Sequence, residues 1–302
     1  MRLDAAWKTL RLQTIEDVAF NLVRDAAIFL PKDVKLHLKM AHQLESDKTA
    51  KAQLKAILDN IELAETQQAP LCQDTGTVTF YAKIGPKVSN LAGIEAALIT
   101  ATRKATLEVP LRPNAIDLFS ELNSGDNTGR LIPRVHWEPS RGAGLELTVM
   151  LKGGGSENVT ALGLLNPNEG VKGLKKFVVD SVIRAGAQPC PPTTLGIAAG
   201  GGADIALELA KKTLLRPLGT FSPEPQVAKL EKELLEAINK TGIGPMGLGG
   251  DTTALGVHVD YAHRHPASFP VAVVFSCWAD RHSSAQISSS GQVTYSSTRA
   301  PE

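Results

Sequence analysis

Apolar residues recur at helical spacing over the first part of the chain, then give way to short apolar runs broken by glycine and proline. Val18, Leu22, Val23 and Ala26 predict one helix, opened by Thr14 with Asp17 three residues on and closed by Pro31. Val34, Leu36, Leu38 and Met40 predict a second, and Ala50, Leu54, Ile57, Leu58 and Ile61 a third that starts near Ser46. His37 and His42, flanked by lysines, read as surface or packing residues.

Beyond residue 66 the pattern changes. Strands are predicted over 78–84, 135–138, 145–151, 195–199, 254–259 and 270–275, with the second and third expected to pair through the turn at 140–144. Helices are predicted over 93–109, 170–185, 204–215 and 226–240, the last taken as a solvated face. The fold class is α/β to α+β: a helical N-terminal region followed by mixed sheets with flanking helices and Gly-rich loops. No internal repeat or linker divides the sequence. One domain over 1–302 is therefore expected, with residues 1–66 helical, 67–282 holding the candidate site and 283–302 a polar tail.

Composition narrows the class. With 43% hydrophobic and 21% charged residues among 302, the chain reads as a soluble globular protein. A net charge of +1 argues against nucleic acid as a partner. No run approaches the roughly 20 apolar residues of a membrane span, and the N-terminus shows no signal-peptide core, so a cytoplasmic location is expected. Three cysteines, far apart in sequence, fit neither a disulfide framework nor a local zinc knuckle.

The candidate chemistry gathers at turns. In 70–76, Cys72 is a soft metal ligand beside Gln73 and Asp74, which can hold a polar substrate; the alternative is a buried small hydrophobe. Cys190 lies between prolines, where a stiff, extended loop is expected. Cys277 follows an apolar run. Three thiolates without a fourth match an iron–sulfur cluster with one open iron better than a closed zinc site. Arg112 precedes Pro113 and is pushed towards an extended backbone, displayed either to grip a carboxylate or as an ordinary surface arginine. The glycines at 153–155 allow close backbone approach to an anion. A zinc hydrolase built on His258, His263 and His265 is conceivable, but no helical His-Glu-x-x-His pattern occurs.

The strings PLCQDTG, LKGGGSEN, AGAQPCPP, KKTLLRPLG, GIGPMGLGG and RHPASFPVAV, in that order, resemble the class I, iron–sulfur-dependent fumarate hydratase family, which includes L(+)-tartrate dehydratase. The resemblance runs from about residue 15 to 281 and covers only the N-terminal or alpha portion of single-chain members. It implies a [4Fe-4S] cluster with one open iron on Cys72, Cys190 and Cys277. Gln73, Arg112 and the backbone of Gly154 and Gly155 correspond to substrate-binding groups, and Asp74 and His265 to catalytic ones, with His263 competing for the histidine role. It also implies a separate beta subunit that brings the base, in an α2β2 heterotetramer. The first expectation is the interconversion of fumarate and L-malate; the alternative is dehydration of L-tartrate to oxaloacetate, and mesaconate-type substrates fit the same small dicarboxylic or hydroxydicarboxylic class. A non-catalytic metal-binding homologue stands behind both.

Overall fold

A computed structural model describes residues 12–296 of the chain. Residues 1–11 of the expected helical region and 297–302 of the expected polar tail lie outside the described residues. The three N-terminal helices are present as α1 (Leu12–Ile28), α2 (Lys32–Leu44) and α3 (Lys48–Gln67). The order continues with β1 (Thr77–Ile84), α4 (Leu91–Glu108), β2 (Arg134–Pro139), β3 (Leu145–Lys152), the single turn α5 (Gly154–Glu157), β4 (Ala161–Leu165), α6 (Gly170–Ala185) and β5 (Thr193–Gly201). It closes with α7 (Ala203–Thr213), α8 (Pro225–Asn239), β6 (Ala254–Arg264), β7 (Phe269–Ser276), β8 (Arg281–Ile287) and β9 (Val293–Tyr295).

The chain divides into two compact units. Among the described residues, unit 1 comprises 12–31, 61–152 and 281–296, and unit 2 comprises 32–60 and 153–280. No linker marks the division in the sequence because one boundary falls inside α3 and another at the end of β3.

Unit 1 holds a mixed sheet of order β2-β1-β3-β8-β9. The expected hairpin of β2 with β3 does not form: β1 lies between them, parallel to β2 and antiparallel to β3, so Phe80 faces Val135 on one side and Val149 on the other. The turn at 140–144 passes the end of β1, where Ser140 N–H donates to the Ile84 carbonyl at 2.7 Å and Gly85 N–H to that of Gly144 at 2.9 Å. Five consecutive buried residues in β1 suit a central strand. Helices α1 and α4 supply Leu22 and Leu98 to a core with Phe80, Leu147 and Val149. The described part of the expected polar tail, residues 283–296, carries most of β8 and all of β9. In β8 the inward positions are Arg281, Ser283, Ala285 and Ile287, so small and polar residues sit where a hydrophobic alternation would otherwise announce a strand.

Unit 2 holds a mixed sheet of order β4-β7-β5-β6. Leu174 and Val178 of α6 and Leu234 and Ile238 of α8 pack on Ile197, Val259 and Val273. Helix α7 lies so close to β5 that a Cβ on Gly196 would stand 2.0 Å from the Ala210 carbonyl oxygen, which explains glycine in the middle of a buried strand. The expected solvated helix α8 in fact buries Val227, Glu231, Leu234 and Ile238 along one face. No helix among the described residues is long and apolar enough to cross a membrane.

Candidate active site

In unit 1 the turn before β1 is pinned by its apolar residue: Leu71 is buried, and its N–H donates to the Ala27 carbonyl at 2.9 Å. Cys72 is half-buried beside it and Gln73 is exposed. One Asp74 carboxylate oxygen accepts from Gly76 N–H at 2.8 Å and from the Asn114 side-chain amide at 3.0 Å. Asn114 N–H donates to Asn127 Oδ1 at 2.6 Å, and the Asn127 amide donates to the Arg112 carbonyl at 3.1 Å and to Thr106 Oγ1 at 3.2 Å. Asp74 and the Arg112 backbone thus belong to one network, with the Arg112 residue exposed at its edge. Neighbouring Asp126 feels desolvation that pushes its carboxyl up, outweighed by hydrogen bonds from Thr128, Arg103 and Ser124 that hold it below its ordinary value.

In unit 2, Cys190 and Cys277 lie on turns joined by one hydrogen bond, Trp278 N–H to the Cys190 carbonyl at 3.1 Å. Because β5 and β7 are antiparallel, with Thr194 opposite Ser276, both thiols sit at the same end of the sheet. Cys190 is not extended as expected. Its φ is +53°, a left-handed conformation costly for a residue with a Cβ and characteristic of constrained functional turns. Cys277 Sγ donates to the Ala279 carbonyl at 3.4 Å. The expected glycine loop after β3 is the single turn α5, with Gly154 and Gly155 both exposed. A Cβ on Gly155 would approach the Gln188 carbonyl oxygen to 3.2 Å, so glycine lets this turn lie against the segment leading to Cys190.

The histidines fall elsewhere. His263 lies near the end of β6 and His265 in the β6–β7 connection, at the opposite end of β7 from Cys277. Eight residues of strand place these ends roughly 25 Å apart. Within unit 2, then, His265 is not brought to the cysteines. It is exposed, and its Nδ1 accepts from Ala267 N–H at 3.1 Å. His263 instead lines an open cleft of about 690 Å³ with Val171, Leu230, Phe269 and Tyr261. There Tyr261 donates to Glu224 at 2.8 Å, and that hydrogen bond together with the Glu224 charge pushes the phenol above its usual range.

None of the three cysteines is in a disulfide, and all are half-buried at turns. Among the described residues no set of three or more His, Cys, Asp and Glu side chains stands close enough to hold a metal ion. The donor chemistry of three accessible thiols fits an iron–sulfur cluster, and unit 2 supplies two of them on joined turns.

The family model described as Fumarate hydratase (Fumerase) matches residues 16–286. The chain belongs to the fumarate hydratase family. It is 46% identical over 271 residues, 88% of this chain and 95% of its counterpart, to a Methanocaldococcus jannaschii protein provisionally named L(+)-tartrate dehydratase subunit alpha. It is 35% identical over 269 residues, 88% of each chain, to the L(+)-tartrate dehydratase subunit alpha of Escherichia coli strain K12. With the protein of the same name in Escherichia coli strain UTI89 the identity is 34% over 274 residues, 90% of each chain.

In this fumarate hydratase family chain, two groups escape a reading by residue type. Asn114 and Asn127 hold Asp74 and Arg112, yet in the sequence they signal only turns. The second group is buried in unit 2: Arg216 Nε donates to His258 Nδ1 at 2.8 Å and its guanidinium pairs with Glu231, which also accepts from Val259 N–H and Ser222 N–H, each at 2.9 Å. The ring proton of His258 must therefore lie on Nε2, a buried atom without a hydrogen-bond partner. Burial, then the Arg216 charge and the nearby His37, push the His258 pKa down to about 3, so the ring is neutral.

Proposed function

We propose that this chain is the alpha subunit of a hydro-lyase that dehydrates L(+)-tartrate to oxaloacetate and requires a separate beta subunit. The observation that carries the substrate is the name shared by relatives aligned along 88–90% of the chain. This reverses the order expected from the sequence, which put fumarate and malate first. Fumarate hydration remains the second reading because it is the activity by which the family is described.

The overall change is loss of one water: a C–H proton and a hydroxyl leave from adjacent carbons, and the resulting enol becomes the keto acid. When bound, a [4Fe-4S] cluster on Cys72, Cys190 and Cys277 supplies a Lewis acid through its open iron. The remaining task is charge. A dicarboxylate that loses a C–H proton gathers more negative charge on one carboxylate, and fixed donors aimed there lower the barrier. The Arg112 guanidinium is assigned to one substrate carboxylate, Gln73 to a neighbouring oxygen and the first-turn backbone of Gly154 and Gly155 to the other anionic end. Asp74, held by Gly76 and Asn114, orients the path of the departing proton to a base that the beta subunit brings. His265, held at the far end of β7, is assigned to a site completed by another copy of the chain, which fits an α2β2 assembly.

Anaerobically purified alpha and beta subunits, mixed and assayed in parallel on L-tartrate, L-malate and fumarate, test this reading. A kcat/KM for tartrate at least tenfold above that for malate and fumarate supports it. The reverse ratio assigns fumarate hydration. No turnover of any of the three, with the cluster loaded, favours a non-catalytic homologue.

A further inference from the structure

We propose that the loop at 116–131 of unit 1 is the surface on which the second subunit docks, its apolar tip seated in an apolar socket on that chain. The proposal rests on the reading of this chain as an alpha subunit. Between α4 and β2 the chain runs without helix or strand over residues 109–133, a length seldom kept in a compact fold without a function. Yet this segment is ordered by its own hydrogen bonds. Asp117 Oδ1 accepts from Phe119 N–H at 3.1 Å, Ser120 N–H at 2.8 Å and the Ser120 hydroxyl at 2.9 Å, while Asp117 N–H donates to the Leu122 carbonyl at 2.9 Å. Ile116 and Asn123 bridge its neck.

What this scaffold displays is apolar. Phe119 is 91% exposed and Leu118 82%, with Ile116, Leu122 and Leu131 exposed nearby. Single exposed leucines are ordinary, whereas a run of large apolar side chains on an ordered loop marks a contact surface. Leu131 adds an independent sign. Its φ is +61° in a turn closed by the Gly129–Ile132 bridge, and the residue is 69% exposed, so a large apolar side chain is displayed from a backbone state suited to glycine or asparagine.

The identity of the occupant follows from where the loop is rooted. Its base is the network in which Asn127 holds the Arg112 carbonyl and Asn114 holds Asp74. A chain seated on the tip therefore stands beside the network that carries Asp74 and Arg112, where the proposed function places the base that the second subunit brings.

The test compares wild type with Leu118→Ser/Phe119→Ser and with Leu131→Gly, each titrated against purified beta subunit by calorimetry and light scattering. The expected result is a loss of affinity on the order of tenfold or more for both variants, as for buried apolar anchors. Leu131→Gly should lose affinity while the alpha chain alone melts no lower than wild type. Unchanged affinity in both variants overturns the proposal, as does failure of the wild-type chain to bind beta subunit at all. A wild-type alpha homodimer that the double variant splits, with beta binding retained, overturns it in favour of self-association. Binding is read without substrate, so absent turnover counts against the proposed reaction and not against the surface.

Discussion

Asn127 holds Asn114 through its backbone, accepting the Asn114 N–H at 2.6 Å, and leaves the Asn114 side-chain amide to donate to Asp74 at 3.0 Å. Asn127 is buried and left-handed, with φ of +57°. Asn127→Ala should destabilise unit 1 by about 1–3 kcal/mol through unpaired buried groups. Asn127→Gly should lose the same bonds with less backbone strain and melt higher than the alanine variant. Asn114→Ala should melt nearly as wild type and lower kcat on the order of tenfold, with KM little changed. Melting curves and steady-state kinetics of the reconstituted enzyme check all three.

Cys190→Ser should lose most of the iron and acid-labile sulfide per chain after anaerobic purification. Arg112→Ala should retain both and raise KM for dicarboxylates, because its role is assigned to the substrate and not to the metal. Full iron retention in the serine variant would remove Cys190 from the ligand set.

Acid should destabilise unit 2 through His258, whose folded pKa of about 3 lies below its ordinary value of 6.5. Above pH 6.5 the ring is neutral in both states and stability does not depend on it through pH. Between 6.5 and about 3 only the unfolded ring gains a proton, so unfolding becomes easier by about 1.4 kcal/mol per pH unit as the pH falls. His258→Gln should flatten this part of the stability curve. An equally steep acid slope in the variant would assign it to other groups.

Gly196→Ala should cost about 2–4 kcal/mol, because the added methyl meets the backbone carbonyl of Ala210 and neither β5 nor α7 yields easily. Chemical denaturation of the variant measures it.

Helix positions were legible because α1, α2 and α3 each bury one periodic face, and β1 and β7 were legible because their buried runs are dense in apolar residues. Pairing was not. Nothing in the alternation of β2 and β3 tells that β1 intervenes, since a neighbour in sequence and a neighbour in space satisfy the same pattern. The thiols and their turns could be marked from prolines and residue type. The Asn114–Asn127 link could not, because two asparagines in turn-rich segments carry no signal of the contact between them. The role of His265 came from the resemblance alone, and nothing in the sequence tells that the length of β7 separates it from Cys277 within one chain.

The position of β8 between β3 and β9 sets a timetable for synthesis. A ribosome releases the whole of unit 2 before residues 281–287 exist, so the sheet of unit 1 must wait with β3 lacking a neighbour along one edge. During that interval the nascent chain exposes an open strand bearing Leu147 and Val149, the condition in which sheets pair wrongly with other chains. The hazard in the cell therefore lies in the interval before residues 281–287 emerge, and a premature stop just before Arg281 would release a product in which unit 2 can close while the sheet of unit 1 cannot.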